Sequence, residues 1–216
     1  MPLNRLQEHI AHTALTLPQA RTLALAGGGA MIVHGFTDRA TRDVDLFTEV
    51  DPDEAIQVAA ALREALRREG LEIMPSDRPP RTNRFVVADP AESSACLVEV
   101  FADGGRLRSA VRLDIGPVLH PDDLAADKVL ALWARAEIRD YVDVSALLRR
   151  YEAAALLRLA AAKDAGFTPE TFADALDAIR RFEPEDWTAA GVDAAEAIRV
   201  RGLVASWSKV LRPVDG

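Results

Sequence analysis

The stretch that decides the fold is LALAGGGAMIVHGFTDRATRDVDLF, residues 23–47. An apolar run ends in Gly27-Gly28-Gly29, and fifteen positions after Gly28 two carboxylates stand one residue apart, Asp43 and Asp45. On a strand, residues i and i+2 share a face, so Asp43 and Asp45 point together while Val44 and Leu46 face the opposite side. Two adjacent carboxylates repel unless a cation answers them. Oxygen donors of this kind suit Mg²⁺, which takes one or two carboxylates plus substrate phosphates. A strand–glycine–helix turn lets backbone N–H groups approach an anion. Each feature also has a plain reading: a tight turn, and a solvated strand edge neutralised by Arg39 or Arg42. Found together they favour one site, in which the first feature holds phosphate and the second holds its metal. No Gly-Lys-Ser/Thr follows the glycines, so this is not a P-loop.

Working outward, the spacing predicts a helix over 3–16, a strand over 22–26, a helix over 30–35 and a strand over 43–47. A capped amphipathic helix follows over 52–69, with Asp51 before it and Gly70 after it. A strand is expected over 71–74. SDRPPRTNR, residues 76–84, reads as a loop because tandem prolines do not sit in a central strand. Strands are expected over 85–88, 96–101 and 111–115, as antiparallel neighbours joined by the turn formers ADPAESS and ADGGR. From Pro121 the pattern is helical, over 122–135, 138–150, 152–163, 169–181 and 191–209. This predicts an α/β (α+β) architecture: a mixed sheet flanked by helices over residues 1–118, and an all-helical half over 119–216.

Composition bounds the function. The 216 residues are 49% hydrophobic and 28% charged, with a formal net charge of −8, which argues against binding that relies on phosphate attraction alone. Cys96 is the single cysteine, excluding an intrachain disulfide and a cysteine zinc cluster and fitting a reducing compartment. The N-terminal MPLNRLQEHI lacks the apolar stretch of a signal peptide, and residues 23–33 are too short to span a bilayer. A cytoplasmic protein with no membrane partner is expected. His9, His12, His34 and His120 form no metal-ligand pattern, and Trp133, Trp187 and Trp207 read as helix-packing residues.

Phosphoryl transfer with two metal ions calls for a third carboxylate on a nearby strand. Glu99 in CLVEVF and Asp114 in VRLDIG both qualify. Further on, DKVLALWARAEIRDYVDV, residues 127–144, places Lys128 and Arg135 two turns apart on one helix face. In the same segment Arg139 and Asp143 are i, i+4 partners, and Asp140 and Asp143 are i, i+3 neighbours. The arrangement reads either as a salt-bridged helix face or as a cationic ridge aimed at triphosphate, with acids that orient the attacking group.

The first motif, with Gly27, Gly28, Arg39, Thr41, Asp43 and Asp45, resembles the signature of the AbiEii/AbiGii toxin family of nucleotidyltransferases, within the DNA polymerase β-like superfamily. The second, with Lys128, Arg135, Arg139, Asp140 and Asp143, resembles that family's lysine and Arg-Asp-x-x-Asp signature. The resemblance covers about residues 20–150. It implies a nucleotidyltransferase-type sheet and a Mg²⁺- or Mn²⁺-dependent transfer of a nucleoside monophosphate from an NTP, with release of pyrophosphate. It implies that Asp43, Asp45 and Glu99 hold metal, and it prefers Glu99 to Asp114. It makes Lys128 a triphosphate contact or a cation that neutralises charge in the transition state, and Asp140 a catalytic or orienting acid near the acceptor. Gly27, Gly28, Arg39, Thr41, Arg135, Arg139 and Asp143 become substrate-binding residues. It further implies a tRNA 3′ end as acceptor and a cognate antitoxin as partner. Many superfamily members carry Gly-Ser where this chain has Gly28-Gly29, so phosphate contacts here would fall to backbone N–H groups or Lys128. An aminoglycoside-type adenylyltransferase and a non-catalytic nucleotide-binding or interaction module are the alternatives.

Overall fold

The computed structural model describes residues 3–19, 21–76, 83–102 and 105–212. Most of the loop expected over 76–84, and Asp103 and Gly104 of the turn at 102–106, lie outside the described residues. The chain forms two compact units, Met1–Leu124 and Ala125–Gly216.

In the first unit, α1 (Arg5–Thr16) starts at Asn4, whose side chain accepts from the Gln7 amide while Gln7 answers the Asn4 amide, a reciprocal cap that satisfies two otherwise orphaned donors. β1 is short (Ala24–Leu25), α2 covers Gly27–Val33 and β2 covers Asp43–Thr48. α3 (Pro52–Arg68) is capped by Asp51, which accepts from the Asp53 and Glu54 amides at 2.9 Å. Then come β3 (Glu72–Met74), β4 (Arg84–Asp89), β5 (Ser94–Ala102), β6 (Val111–Leu113) and β7 (Gly116–Val118). They form one seven-stranded mixed sheet in the order β3-β4-β5-β2-β1-β7-β6, with β2–β5 and β1–β7 parallel.

The alternation on β2 is the one the sequence predicts: Val44 and Leu46 are buried and Asp43 and Asp45 half-buried. Val44 and Leu46 lie in register with Val98 and Val100 of β5, and all four have at most 1% of their surface exposed. The inward stripe of α3 (Ala55, Val58, Ala59, Leu62, Leu66) is likewise sealed from solvent.

Three sequence expectations need correction here. The helix predicted over 30–35 begins at Gly27, so the glycines are its first turn and not a loop before it. The strand expected over 111–115 is a hairpin: the chain turns at Asp114-Ile115, and Gly116, at φ +123°, starts a new strand. Only glycine takes that backbone without strain. Finally, ADPAESS does join antiparallel neighbours, β4 and β5, but β5 does not pair with β6, which lies at the far edge of the sheet. Local turn chemistry does not report strand order.

In the second unit, α4 (Pro121–Arg135), which begins in the first, is followed by α5 (Ile138–Leu147), α6 (Ala153–Lys163), α7 (Pro169–Asp177), a 3₁₀ turn (Ala178–Arg181), α8 (Pro184–Ala189) and α9 (Ala194–Leu211). The expected 169–181 helix thus tightens into a 3₁₀ end, and α8 was not foreseen. The unit is held by edge-to-face aromatic packing. Phe172 meets Trp207 at 5.1 Å between ring centroids, Trp133 meets Phe167 at 5.6 Å and Phe182 meets Trp187 at 6.4 Å. The tryptophans are packing residues, as expected. Among the described residues no helix is long and apolar enough to cross a membrane.

Asp123 fixes the segment that brings the chain to the far edge. Its carboxylate, fully buried, accepts from the Leu107 amide at 2.7 Å and the Arg108 amide at 2.9 Å. Asp123→Ala leaves those donors unanswered and is expected to cost about 2–3 kcal/mol, read as a lowered urea midpoint at unchanged m-value.

Candidate active site

The first motif converges in space around the start of α2. Gly27 has φ +55°, and a Cβ placed there would lie 1.8 Å from Asp45 Oδ2. A Cβ on Gly28 would lie 2.6 Å from Thr41 Oγ1 and 3.8 Å from an Arg39 guanidinium nitrogen. The glycines are therefore demanded by the protein's own Asp45 and Thr41. The space that spacing alone reserves for an anion is occupied in part by a carboxylate and a hydroxyl.

Thr41 then donates to Asp43 Oδ1 at 2.5 Å, and its carbonyl accepts from Gln7 of α1 at 3.0 Å. This fixes the orientation of Asp43. Across the parallel β2–β5 pair, Asp45 lies in register with Glu99, so the three carboxylates share one face of two adjacent strands. Asp114, by contrast, is exposed in the β6–β7 turn, beyond β1 on the other side of β2.

The sequence reading missed the partner of Glu99. Arg84, directly opposite it in the β4–β5 register, forms an ion pair with it through Nε. Both side chains are nearly buried, with 12% and 8% of their surface exposed. Only the β4–β5 register reveals this pair, because the two residues are fifteen apart in the chain. The field of the acids is felt on the neighbouring strand. Burial first, and then the charges of Asp43 and Asp45, push the Cys96 thiol up to about 12, leaving it protonated and unreactive.

Asp43 and Asp45 fit one hard cation: two oxygen donors on a common face, one of them held by a hydroxyl. Among the described residues no three acidic, histidine or cysteine side chains stand together as a ready-made metal cluster, and Glu99 is engaged by Arg84. Any remaining ligands would be substrate phosphate oxygens and water.

The second motif assembles within the second unit. Lys128 Nζ lies 2.8 Å from Asp143 Oδ2, with 10% and 1% of the side chains exposed. Arg135 grips Asp140 with two nitrogens, at 2.9 and 2.7 Å. Asp140 is fully buried and also accepts from the Glu137 amide at 3.1 Å. Two cations on α4 thus each meet a buried acid on α5. The expected Arg139–Asp143 partnership is corrected: Asp143 is claimed by Lys128, and Arg139 turns to Glu137 at 3.0 Å. In this arrangement Asp140 positions Arg135.

The sheet, its strand-borne acids and the glycine-started helix together define a nucleotidyltransferase-type fold. The AbiEii nucleotidyltransferase toxin of type IV toxin–antitoxin systems is the family whose model matches residues 11–197, and the chain belongs to that family. Among solved structures, JHP933 from Helicobacter pylori superposes with a TM-score of 0.57 at 14% identity, covering 97% of this chain and 94% of that one. MenT4, the nucleotidyltransferase toxin Rv2826c from Mycobacterium tuberculosis H37Rv, superposes with a TM-score of 0.53 at 17% identity, covering 98% and 84%. An antigenic nucleotidyltransferase-like protein from Paracoccidioides brasiliensis gives 0.50 at 18% identity, covering 75% and 89%. No curated protein matches.

Gly27→Ala places a methyl group on Asp45 at a backbone angle hostile to L-residues. It is expected to cost at least about 1–2 kcal/mol. Gly29→Ala, whose Cβ would meet only the Leu25 side chain, at 3.1 Å, is expected to cost less. A double-mutant cycle of Gly27→Ala with Asp45→Ala, measured by urea unfolding, should recover part of the loss. Additive costs would show that the two residues do not compete for space.

Proposed function

We propose that the protein is a metal-dependent nucleotidyltransferase that moves a nucleoside monophosphate from an NTP to the 3′ end of a tRNA, as the toxin of a toxin–antitoxin pair. The observation that carries this reading is the Asp43/Asp45 pair, two carboxylates on one strand face with Thr41 and Gly27 shaped around them.

A Mg²⁺ or Mn²⁺ ion bound there would act as a Lewis acid on the transferring phosphate. Asp43 and Asp45 provide its oxygen donors, and Thr41 keeps Asp43 in one rotamer. Gly27 and Gly28 keep the approach to the acids clear of side chains, and Arg39 stands beside Gly28 as a cation for phosphate oxygens. In the reaction the acceptor hydroxyl attacks the α-phosphorus. The bond to the bridging oxygen breaks, pyrophosphate leaves, and the hydroxyl proton passes to base or solvent. Glu99 serves as a third metal ligand only after Arg84 lets it go. Lys128, Arg135, Arg139, Asp140 and Asp143 enter by resemblance: Lys128 as a triphosphate contact or a cation for the transition state, Asp140 as a catalytic or orienting acid near the acceptor, and Arg135, Arg139 and Asp143 as substrate-binding residues.

One observation favours a non-catalytic nucleotide-binding module instead. Glu99 and Lys128 are both already paired, with Arg84 and Asp143.

The test is incubation of the protein with each α-labelled NTP, total tRNA and Mg²⁺ or Mn²⁺. Labelled tRNA is expected with the wild type, and chelation of the metal should abolish it. Asp43→Ala should lower transfer by about 10²-fold or more with an unchanged circular-dichroism spectrum. Metal-dependent NTP binding without turnover on any acceptor would select the module.

A further inference from the structure

Two strands from β2, at the end of the sheet where β3 stops and β4 begins, lies a cleft of about 310 Å³. Its described lining includes Arg63 and Arg67 from α3, Arg84 and Phe85 from β4, and Met74 and Ser76 at the end of β3, with no acidic side chain among the described lining residues. Arg63 and Arg67 are one helical turn apart, where like charges repel. The Arg63 guanidinium lies over the Phe85 ring at 5.3 Å. Its pKa is lowered by burial and then by the charge of Arg67. Among the described residues neither Arg63 nor Arg67 has a carboxylate partner. The next arginine, Arg68, is paired with Glu64 at 3.1 Å. In a chain of net charge −8, three guanidiniums around one cleft, two of them with no carboxylate partner among the described residues, form a local concentration of positive charge.

We propose that this cleft is a phosphodiester-binding subsite that holds the backbone of the single-stranded RNA acceptor. The proposal rests on the nucleotidyl-transfer reading above. Three features select RNA backbone over the NTP. First, Phe85 lies in register with Val98 and faces α3, so the cleft's α3 wall is on the side of the sheet opposite Asp43 and Asp45, and two strand spacings, about 10 Å, from the strand that would hold the metal and its triphosphate. Second, guanidinium forks suit phosphate oxygens. Third, the Phe85 ring is covered by Arg63, so the cleft offers charge without a stacking platform and would read backbone rather than base. Arg84 connects the two places, since it lines the cleft and also holds Glu99, in register with Asp45.

The test is binding of a fluorescein-labelled single-stranded RNA oligonucleotide across a salt series, with Mg²⁺–ATP and pyrophosphate binding measured by calorimetry on the same proteins. Arg67→Gln is exposed, so it should fold normally. It is expected to weaken RNA binding about tenfold and to reduce the slope of log K against log salt by about 0.7. Arg63→Gln/Arg67→Gln is expected to reduce the slope by about 1.4. Arg68→Gln, which changes net charge equally, should leave RNA affinity within about twofold, and ATP and pyrophosphate affinities should hold in all three variants. The proposal is overturned if the wild type binds no RNA, if Arg67→Gln binds RNA like the wild type, if Arg68→Gln matches Arg67→Gln, or if the loss falls on ATP or pyrophosphate instead. None of these readouts requires turnover, so the cleft can fail while transfer by the wild type and its loss in Asp43→Ala stand, and the reverse.

Discussion

The Asp45 carboxylate lies where a side chain on Gly27 would stand, and much of the first unit follows from that contact. For the acid to sit there, residue 27 must be glycine and the chain must enter α2 through a left-handed backbone. Thr41 must then fit over Gly28, which places its hydroxyl on Asp43. The two acids are fixed from outside the strand, by a helix start on one side and a hydroxyl on the other. Val44 and Leu46 fix the strand itself from beneath. A half-buried acid pair is expensive to maintain. Here local backbone geometry is arranged around it, so the pair is a feature the fold is built to present.

The second unit solves a related problem differently. Asp140 and Asp143 are almost completely buried on α5, which is unfavourable unless each meets a cation with good geometry. Arg135 and Lys128 supply those cations from α4. The pairing fixes the register of the two helices, because a slip of one turn would strand a buried charge at each end. Apolar packing would tolerate such a slip more readily, since apolar contact is not directional. Specificity of register, more than net stability, is what these pairs contribute.

Much of this was legible in the sequence, and the failures have a common cause. Period-two alternation identified β2 and its two faces, since that signal depends only on neighbours in the chain. Caps identified α3 for the same reason. The spacing of Lys128, Arg135, Asp140 and Asp143 showed a charged helix face, but spacing within one helix cannot say whether Asp143 pairs along α5 or across to α4. It pairs across. The Arg84–Glu99 bridge was invisible because it depends on which residues a hairpin sets opposite each other. The hairpin at Asp114 was hidden in an apolar run, with Gly116 its one local sign. The role of the glycines was half read: their need for close approach was evident, and the groups that approach, Thr41 and Asp45, came from thirteen and eighteen residues away.

The Arg84–Glu99 bridge also bears on how much charge the candidate site carries. Asp43, Asp45 and Glu99 would place three formal negative charges on one face of two neighbouring strands. Arg84 cancels one of them from the third strand. Without Arg84, the buried Glu99 would be left uncompensated beside Asp45, a loss of about 3–5 kcal/mol when one partner of a buried pair is removed. Without Glu99, Arg84 would lose its carboxylate partner. Each makes the other tolerable, and neither has a reason to be there alone. Arg84 also lines the arginine-rich cleft, so one residue belongs to both the acid face and the cleft.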